Sequence, residues 1–203
     1  MDIKDAGEVK EAIKKYDRDE RCTYADYVTW DDDQRFELID GVAYAMSAPT
    51  SMHQEICISM SAQLYFFLDG KSCKVFSAPF DVRLNADSGD DTVVQPDIVV
   101  VCDRSKLNKA GCKGAPDMLV EIISPSTASR DYGLKYNKYL HAGVREYWIV
   151  DPEAQLVRVC ILNEGKYDII DYIEADTIPV RILDGCIIDI KKAFGEVEYD
   201  TES

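Results

Sequence analysis

The sequence predicts an α/β (α+β) protein in which a mixed central β-sheet is flanked by helices, and three observations carry that prediction. Hydrophobic periodicity runs helix, hairpin, helix, several strands, helix, strands along the 203 residues. Two central segments, VVQPDIVVVC and DMLVEIIS, are nearly continuous apolar runs, as strands are when both their faces are covered. No internal repeat or linker divides the chain. The expected organisation is an N-terminal helical extension over 1–21, one domain over 22–195 and an acidic tail over 196–203.

The elements follow in order. Residues 4–16 place Val9, Ala12, Ile13 and Tyr16 on one stripe, which predicts an amphipathic helix. Thr23 is a candidate cap for a short helix through Trp30, ended by the acidic run Asp31–Asp33. RFELIDG and VAYAMSA, joined at Asp40-Gly41, read as a β-hairpin. After a break at 49–51, HQEICISMSAQLYFFLDG shows helical spacing, with Ile56, Met60, Leu64 and Phe67 on one face and Gly70 closing it. KVFSA, FDVRL and VVQPDIVVVC are strands, and NADSGDD is a loop between the last two. The Lys- and Gly-rich RSKLNKAGCKGAP reads as a second loop before the strand DMLVEIIS. SPSTASRD is a loop, a helix spans about Asp131 to His141 with Gly143 ending it, and REYWIVDP is a strand. The remainder to about Ile190 reads as antiparallel strands.

Composition narrows the functional classes. The chain is 46% hydrophobic and 30% charged, which fits a folded soluble domain and excludes collagen-like or wholly disordered readings. No apolar run reaches the roughly 20 residues of a membrane span, and a cytoplasmic location is expected. Seven cysteines, none spaced as CxxC, signal neither a disulfide framework nor a zinc site and read as small buried hydrophobes. The net charge of −15 argues against a polyanionic partner, yet Arg104 to Arg145 reverses the sign with eight basic side chains against three acidic. A face built from that stretch could meet phosphates.

Two acids sit where burial should exclude them. Asp97 lies within VVQPDIVVVC and Glu121 within DMLVEIIS, and an isolated carboxylate among Val, Ile and Leu costs several kcal/mol unless paired or bound to a cation. Together they suit a hard divalent ion such as magnesium. Glu37 is a third acid in an apolar strand. Asp131 and Lys135 are one helical turn apart and share a face, so Lys135 is a candidate cation for developing phosphate charge, with Lys138 as its rival. His53, at a helix start, is a candidate proton shuttle or substrate contact. No P-loop, GxGxxG, GxSxG or HExxH is present.

FELIDG, HQEI, QPDIVVV, LVEIISPST, DYGLKYNKY and AGVREYWIVDP, in that order, resemble the Uma-type restriction endonuclease family of the PD-(D/E)XK nuclease superfamily, over roughly residues 22–163. The resemblance implies a restriction-endonuclease-like core. It implies Glu37, Asp97, Glu121 and Lys135 as catalytic residues, His53 and Asp131 as supporting ones, and Asp97, Glu121 and the Ile122 backbone carbonyl as ligands of Mg2+, with Mn2+ as a substitute. One departure stands out: an E-x-K motif would place lysine two residues after Glu121, where this chain has Ile123, so Lys135 on the next helix takes that place. The implied activity is a metal-dependent endonuclease acting on DNA. A homodimer is expected, because cutting both strands requires two sites. The alternatives are a non-catalytic nucleic-acid-binding or assembly module of the same fold, and a metal-dependent phosphoesterase of small molecules.

Overall fold

A computed structural model describes residues 21–30, 34–124 and 130–195. The expected helix over 4–16, the run Asp31–Asp33, most of the SPSTASRD loop and the acidic tail therefore lie outside the described residues. Thr23 precedes a helix α1 (Tyr24–Tyr27) that is shorter than expected. The Thr29 hydroxyl turns back onto the Asp26 carbonyl at 2.6 Å, and the chain continues in turns to Trp30. The hairpin forms as read, with β1 (Phe36–Ile39) antiparallel to β2 (Val42–Ala45). Asp40 and Gly41 both take positive φ, 52° and 75°, the two-residue turn whose twist matches that of the strands it joins. Helix α2 (Ser51–Leu68) starts under Thr50, whose hydroxyl accepts the His53 amide at 3.2 Å. It buries Ile56, Met60 and Leu64 one turn apart, with Phe67 partly buried beside them.

The central strands depart from the expected single sheet. They comprise β3 (Lys74–Ser77), β4 (Asp81–Arg83), β5 (Val93–Val94) and β6 (Ile98–Val101). VVQPDIVVVC is thus two strands, and they belong to different sheets. Pro96 has no N–H for a ladder, so Gln95-Pro96-Asp97 carries the chain from one sheet to the other. The stretch read as a Lys- and Gly-rich loop holds a tight turn at Arg104–Lys106 and two short strands, β7 (Leu107–Asn108) and β8 (Gly111–Lys113). The first sheet has the order β2-β1-β5-β4-β8-β7.

The second sheet is built around β9 (Met118–Ile122), followed by α3 (Tyr136–Ala142), β10 (Glu146–Asp151), β11 (Leu156–Asn163) and β12 (Lys166–Ile173). Its order is β12-β11-β10-β9-β6-β3, with β9 and β10 parallel across the α3 crossover and the other pairs antiparallel. A small pair, β13 (Thr177–Pro179) and β14 (Ile187–Asp189), and helix α4 (Ile190–Phe194) complete the fold. The second sheet is covered on both faces, as its apolar runs require. Ile98, Val100, Met118, Val120, Trp148 and Val150 join one core with α2 and α4, while Val99, Val101, Leu119, Tyr147 and Ile149 join the other with Tyr139 of α3.

The cysteine reading needs one correction. Cys73 and Cys102 form a disulfide, because the register that pairs Lys74 with Val101 sets them opposite each other one step further along. Cys22, Cys57, Cys112, Cys160 and Cys186 are not disulfide-bonded, and all but Cys22 are buried. Among the described residues no helix is long and apolar enough to cross a membrane.

Candidate active site

The site forms where the chain passes between the two sheets. Ile98 pairs with Val120 in β6 and β9, so the next step of the ladder sets Asp97 opposite Glu121. The Ile122 amide donates to Asp97 Oδ2 at 2.7 Å and pins that carboxylate against β9. Glu37 arrives from the other sheet, on β1, and its Oε1 accepts the Gln95 amide at 2.9 Å. The segment that crosses between the sheets therefore anchors both acids.

Lys135 closes the arrangement. Residues Arg130–Lys135 form a π-helical turn that runs into α3, a geometry that recurs at functional sites. Four-residue steps bring Asp131, Lys135 and Tyr139 inward, and all three are buried. The Lys135 ammonium lies 2.8 Å from Glu37 Oε1, 2.9 Å from Glu121 Oε1 and 3.5 Å from Asp131 Oδ1. The lysine beside Glu121 thus comes from the turn that enters α3 and not from two residues beyond Glu121, where the chain has Ile123. Its rival, Lys138, pairs instead with Asp40 in the hairpin turn and ties α3 to that turn. The Tyr139 hydroxyl donates to Glu121 Oε1 at 2.6 Å, and its ring packs edge-on against Tyr147 with centroids 4.8 Å apart. Tyr147 in turn donates to the Asp131 carbonyl at 3.2 Å.

His53, at the start of α2, stands 3.1 Å from Asp97 Oδ2 through Nε2. Its Nδ1 is buried without a hydrogen-bond partner among the described residues. The structure thus gathers Glu37, His53, Asp97, Glu121, Asp131 and Lys135, the six side chains read as catalytic or supporting. His141 lies apart, its Nδ1 2.6 Å from the Asn137 carbonyl on the exposed side of α3. Tyr139 and the Gln95 amide were missed, whereas Arg130 falls within the basic stretch read as able to meet phosphates. Tyr139 had a signal, since DYGLKYNKY repeats its polar inward positions every four residues, but a tyrosine at helical spacing reads first as core.

Charge is unbalanced here. Burial raises the Glu121 carboxyl well above the usual range; Lys135 opposes this, and Asp131, Asp97 and Glu37 add to it. Burial alone would lower the Lys135 pKa, but Glu121, Glu37 and Asp131 outweigh it and keep the ammonium charged. Burial would likewise lower His53, and the hydrogen bond and charge of Asp97 turn the net shift upward. Burial next to Glu121 holds the Tyr139 hydroxyl protonated.

The donor chemistry can be tested against a divalent cation. Asp97 Oδ2 and Glu121 Oε1 are engaged, which leaves Asp97 Oδ1 and Glu121 Oε2 without a hydrogen bond among the described residues. Those residues contain no set of three or more His, Cys, Asp and Glu side chains that could hold a metal by themselves. Two carboxylates with surplus negative charge fit magnesium, which is held by one or two carboxylates, waters and substrate phosphates rather than by an all-protein cage.

Similarity to known proteins extends over most of the chain. The profile of the Uma2 family, described as "Putative restriction endonuclease", matches residues 24–191. A Synechocystis protein, "Uncharacterized protein slr1290", is 26% identical over 160 residues, covering 77% of this chain and 83% of the relative. The crystal structure of "a putative nuclease belonging to DUF820" from Anabaena variabilis superposes with a TM-score of 0.70 at 20% identity, covering 85% of this chain and 97% of that one. At that identity the superposition establishes the fold.

Proposed function

The chain belongs to the Uma2 family, and from that premise we propose that it is a magnesium-dependent nuclease hydrolysing DNA phosphodiester bonds, with manganese able to substitute. The observation that carries the reading is the convergence of Glu37, Asp97, Glu121 and Lys135, four residues from four separate segments, on one cluster of which only Asp97 is partly exposed. A purely structural role would not require acids to outnumber their counter-charges in one place, as they do among the described residues.

Asp97, Glu121 and the Ile122 carbonyl would hold the cation. When bound, it supplies Lewis-acid polarisation of the scissile phosphate and activation of water. The chain's own residues do the rest. Lys135 and Tyr139 grip one oxygen of Glu121 and leave the other, Oε2, without a hydrogen bond among the described residues. Glu37 and Asp131 hold the Lys135 ammonium, so it stays charged as negative charge develops at phosphorus. His53 is fixed by Asp97 through Nε2, leaving Nδ1 to take up or deliver a proton. Several cations of the Arg104–Arg145 stretch are engaged elsewhere: Lys106 with the Ala115 carbonyl, Lys113 with Asp87, Lys138 with Asp40 and Arg145 with Asp117. Exposed Arg104 and Lys109 remain for phosphates outside the cleavage centre. A homodimer would supply the second site that double-strand cleavage needs.

The test is calorimetric titration of magnesium and manganese into wild type and Glu121→Gln, followed by incubation of each with supercoiled plasmid. Wild type should bind metal and nick the plasmid. Glu121→Gln should lose more than the roughly 10–100-fold that follows loss of a mere supporting partner. Equal metal binding or equal nicking by the variant would overturn the assignment.

A further inference from the structure

We propose that Arg130, rather than Lys135, is the cation that touches the phosphate of the substrate; the inference rests on the phosphodiester-hydrolysing reading above. Lys135 is fully engaged. Its ammonium has three N–H groups and three carboxylates around it, and it is only 4% exposed. Reaching a phosphate would mean leaving buried acids without their counter-charge.

Arg130 is placed differently. It opens the π-helical turn, and its side chain is 25% exposed at the rim of the same cluster. Its guanidinium lies over the Tyr44 ring, 4.8 Å from the centroid, and Tyr44 is the cross-strand partner of Glu37. Among the described residues it meets one carboxylate oxygen, Glu37 Oε2, at 3.8 Å, beyond hydrogen-bond range. The aromatic face and the distant charge hold the guanidinium in place while its N–H fork keeps its hydrogen-bonding capacity. A planar fork at the edge of an acidic centre matches a phosphodiester, whose two unbridged oxygens it can bind together. It also offsets the repulsion that Glu37, Asp97, Glu121 and Asp131 would exert on that anion. Lys135 then keeps the carboxylates in place, and Arg130 meets the substrate.

The experiment compares wild type, Arg130→Gln and Arg130→Lys. Binding of a labelled DNA duplex is followed across salt concentration in EDTA, and nicking is followed across plasmid concentration in magnesium. Arg130→Gln should reduce the magnitude of the salt slope of log Kobs by about one. Its KM should rise several-fold and its magnesium affinity should stay within twofold of wild type. Arg130→Lys should restore the slope but not the full rate, since an ammonium cannot bind bidentately. If the glutamine variant folds poorly, Arg130→Met keeps the apolar stem over Tyr44 and serves in its place. A charge-removing variant with wild-type salt slope and wild-type nicking overturns the role of Arg130 while leaving the nuclease standing. A wild type that binds duplex without nicking removes the nuclease reading, and the slope of the variant still decides Arg130. A wild type that neither binds nor nicks overturns both.

Discussion

Lys135 is the residue on which the candidate site turns. It is the one cation within 3.5 Å of Glu37, Glu121 and Asp131 among the described residues, and all four side chains are buried. Lys135→Met should therefore destabilise the fold by about 3–5 kcal/mol at neutral pH, the range expected when one partner of a buried ionic group is removed. The loss should shrink on acidification. A carboxyl whose folded pKa is raised, as burial raises Glu121, contributes stability that is fully present below the ordinary value of 4.5 and is lost as pH rises through the folded value. Removing the opposing ammonium raises that folded value further. Urea denaturation of the variant at pH 5 and pH 8 checks this, and an equal or larger deficit at pH 5 would contradict it. Asp97 and Glu121 could be picked out from the sequence because a carboxylate inside a continuous apolar run violates a strong rule. Tyr139 had only its four-residue spacing from Lys135 as a signal, because a buried tyrosine violates no such rule.

Among the elements, the short strands after the disulfide matter most. The Lys- and Gly-rich segment looked like a loop because no run of three apolar residues occurs in it, yet β8 lies parallel to β4 with Gly111 beside Asp81. Gly111 has φ +140°, and a Cβ there would stand 2.1 Å from the Asp81 carbonyl oxygen. Gly111→Ala should cost at least about 2 kcal/mol, since both the backbone conformation and the contact oppose it. Thermal unfolding measures the loss, and a wild-type Tm would mean that β8 does not pack so closely. The same logic explains the split of VVQPDIVVVC. Its apolar content fits one buried strand, but the missing amide of Pro96 ends one ladder and lets the next begin in another sheet. The hairpin at Asp40-Gly41 was readable for the opposite reason, since its turn residues agree with the apolar segments on either side.

At the scale of the molecule, metal binding should be visible as stability. A cation that binds only the folded state adds about 2.7 kcal/mol at a hundredfold excess over its Kd, enough to raise Tm by several degrees in a domain of this size. Magnesium should raise the Tm of wild type, EDTA should abolish the rise, and Glu121→Gln should not respond. A shift of equal size in Glu121→Gln would place the cation elsewhere. The net charge of −15 makes this coupling relevant to DNA as well, because an anionic molecule meets a polyanion best after its acidic centre has taken up positive charge.

The amino-acid order by itself determined the alternation of helices and strands, the placing of Asp97 and Glu121 within apolar runs, the turn at Asp40-Gly41 and the one-turn spacing of Asp131 and Lys135. Each follows from local rules: periodicity, turn conformation and the penalty for burying charge. Tertiary structure decided what depends on register and on distance through space. It set Asp97 opposite Glu121, chose Lys135 over Lys138, joined Cys73 to Cys102 and brought Glu37 from a different sheet to the same ammonium. A ladder shifted by one residue would turn Glu121 to the other face, and nothing local in the chain specifies that register; the packing of two cores against both faces of one sheet does.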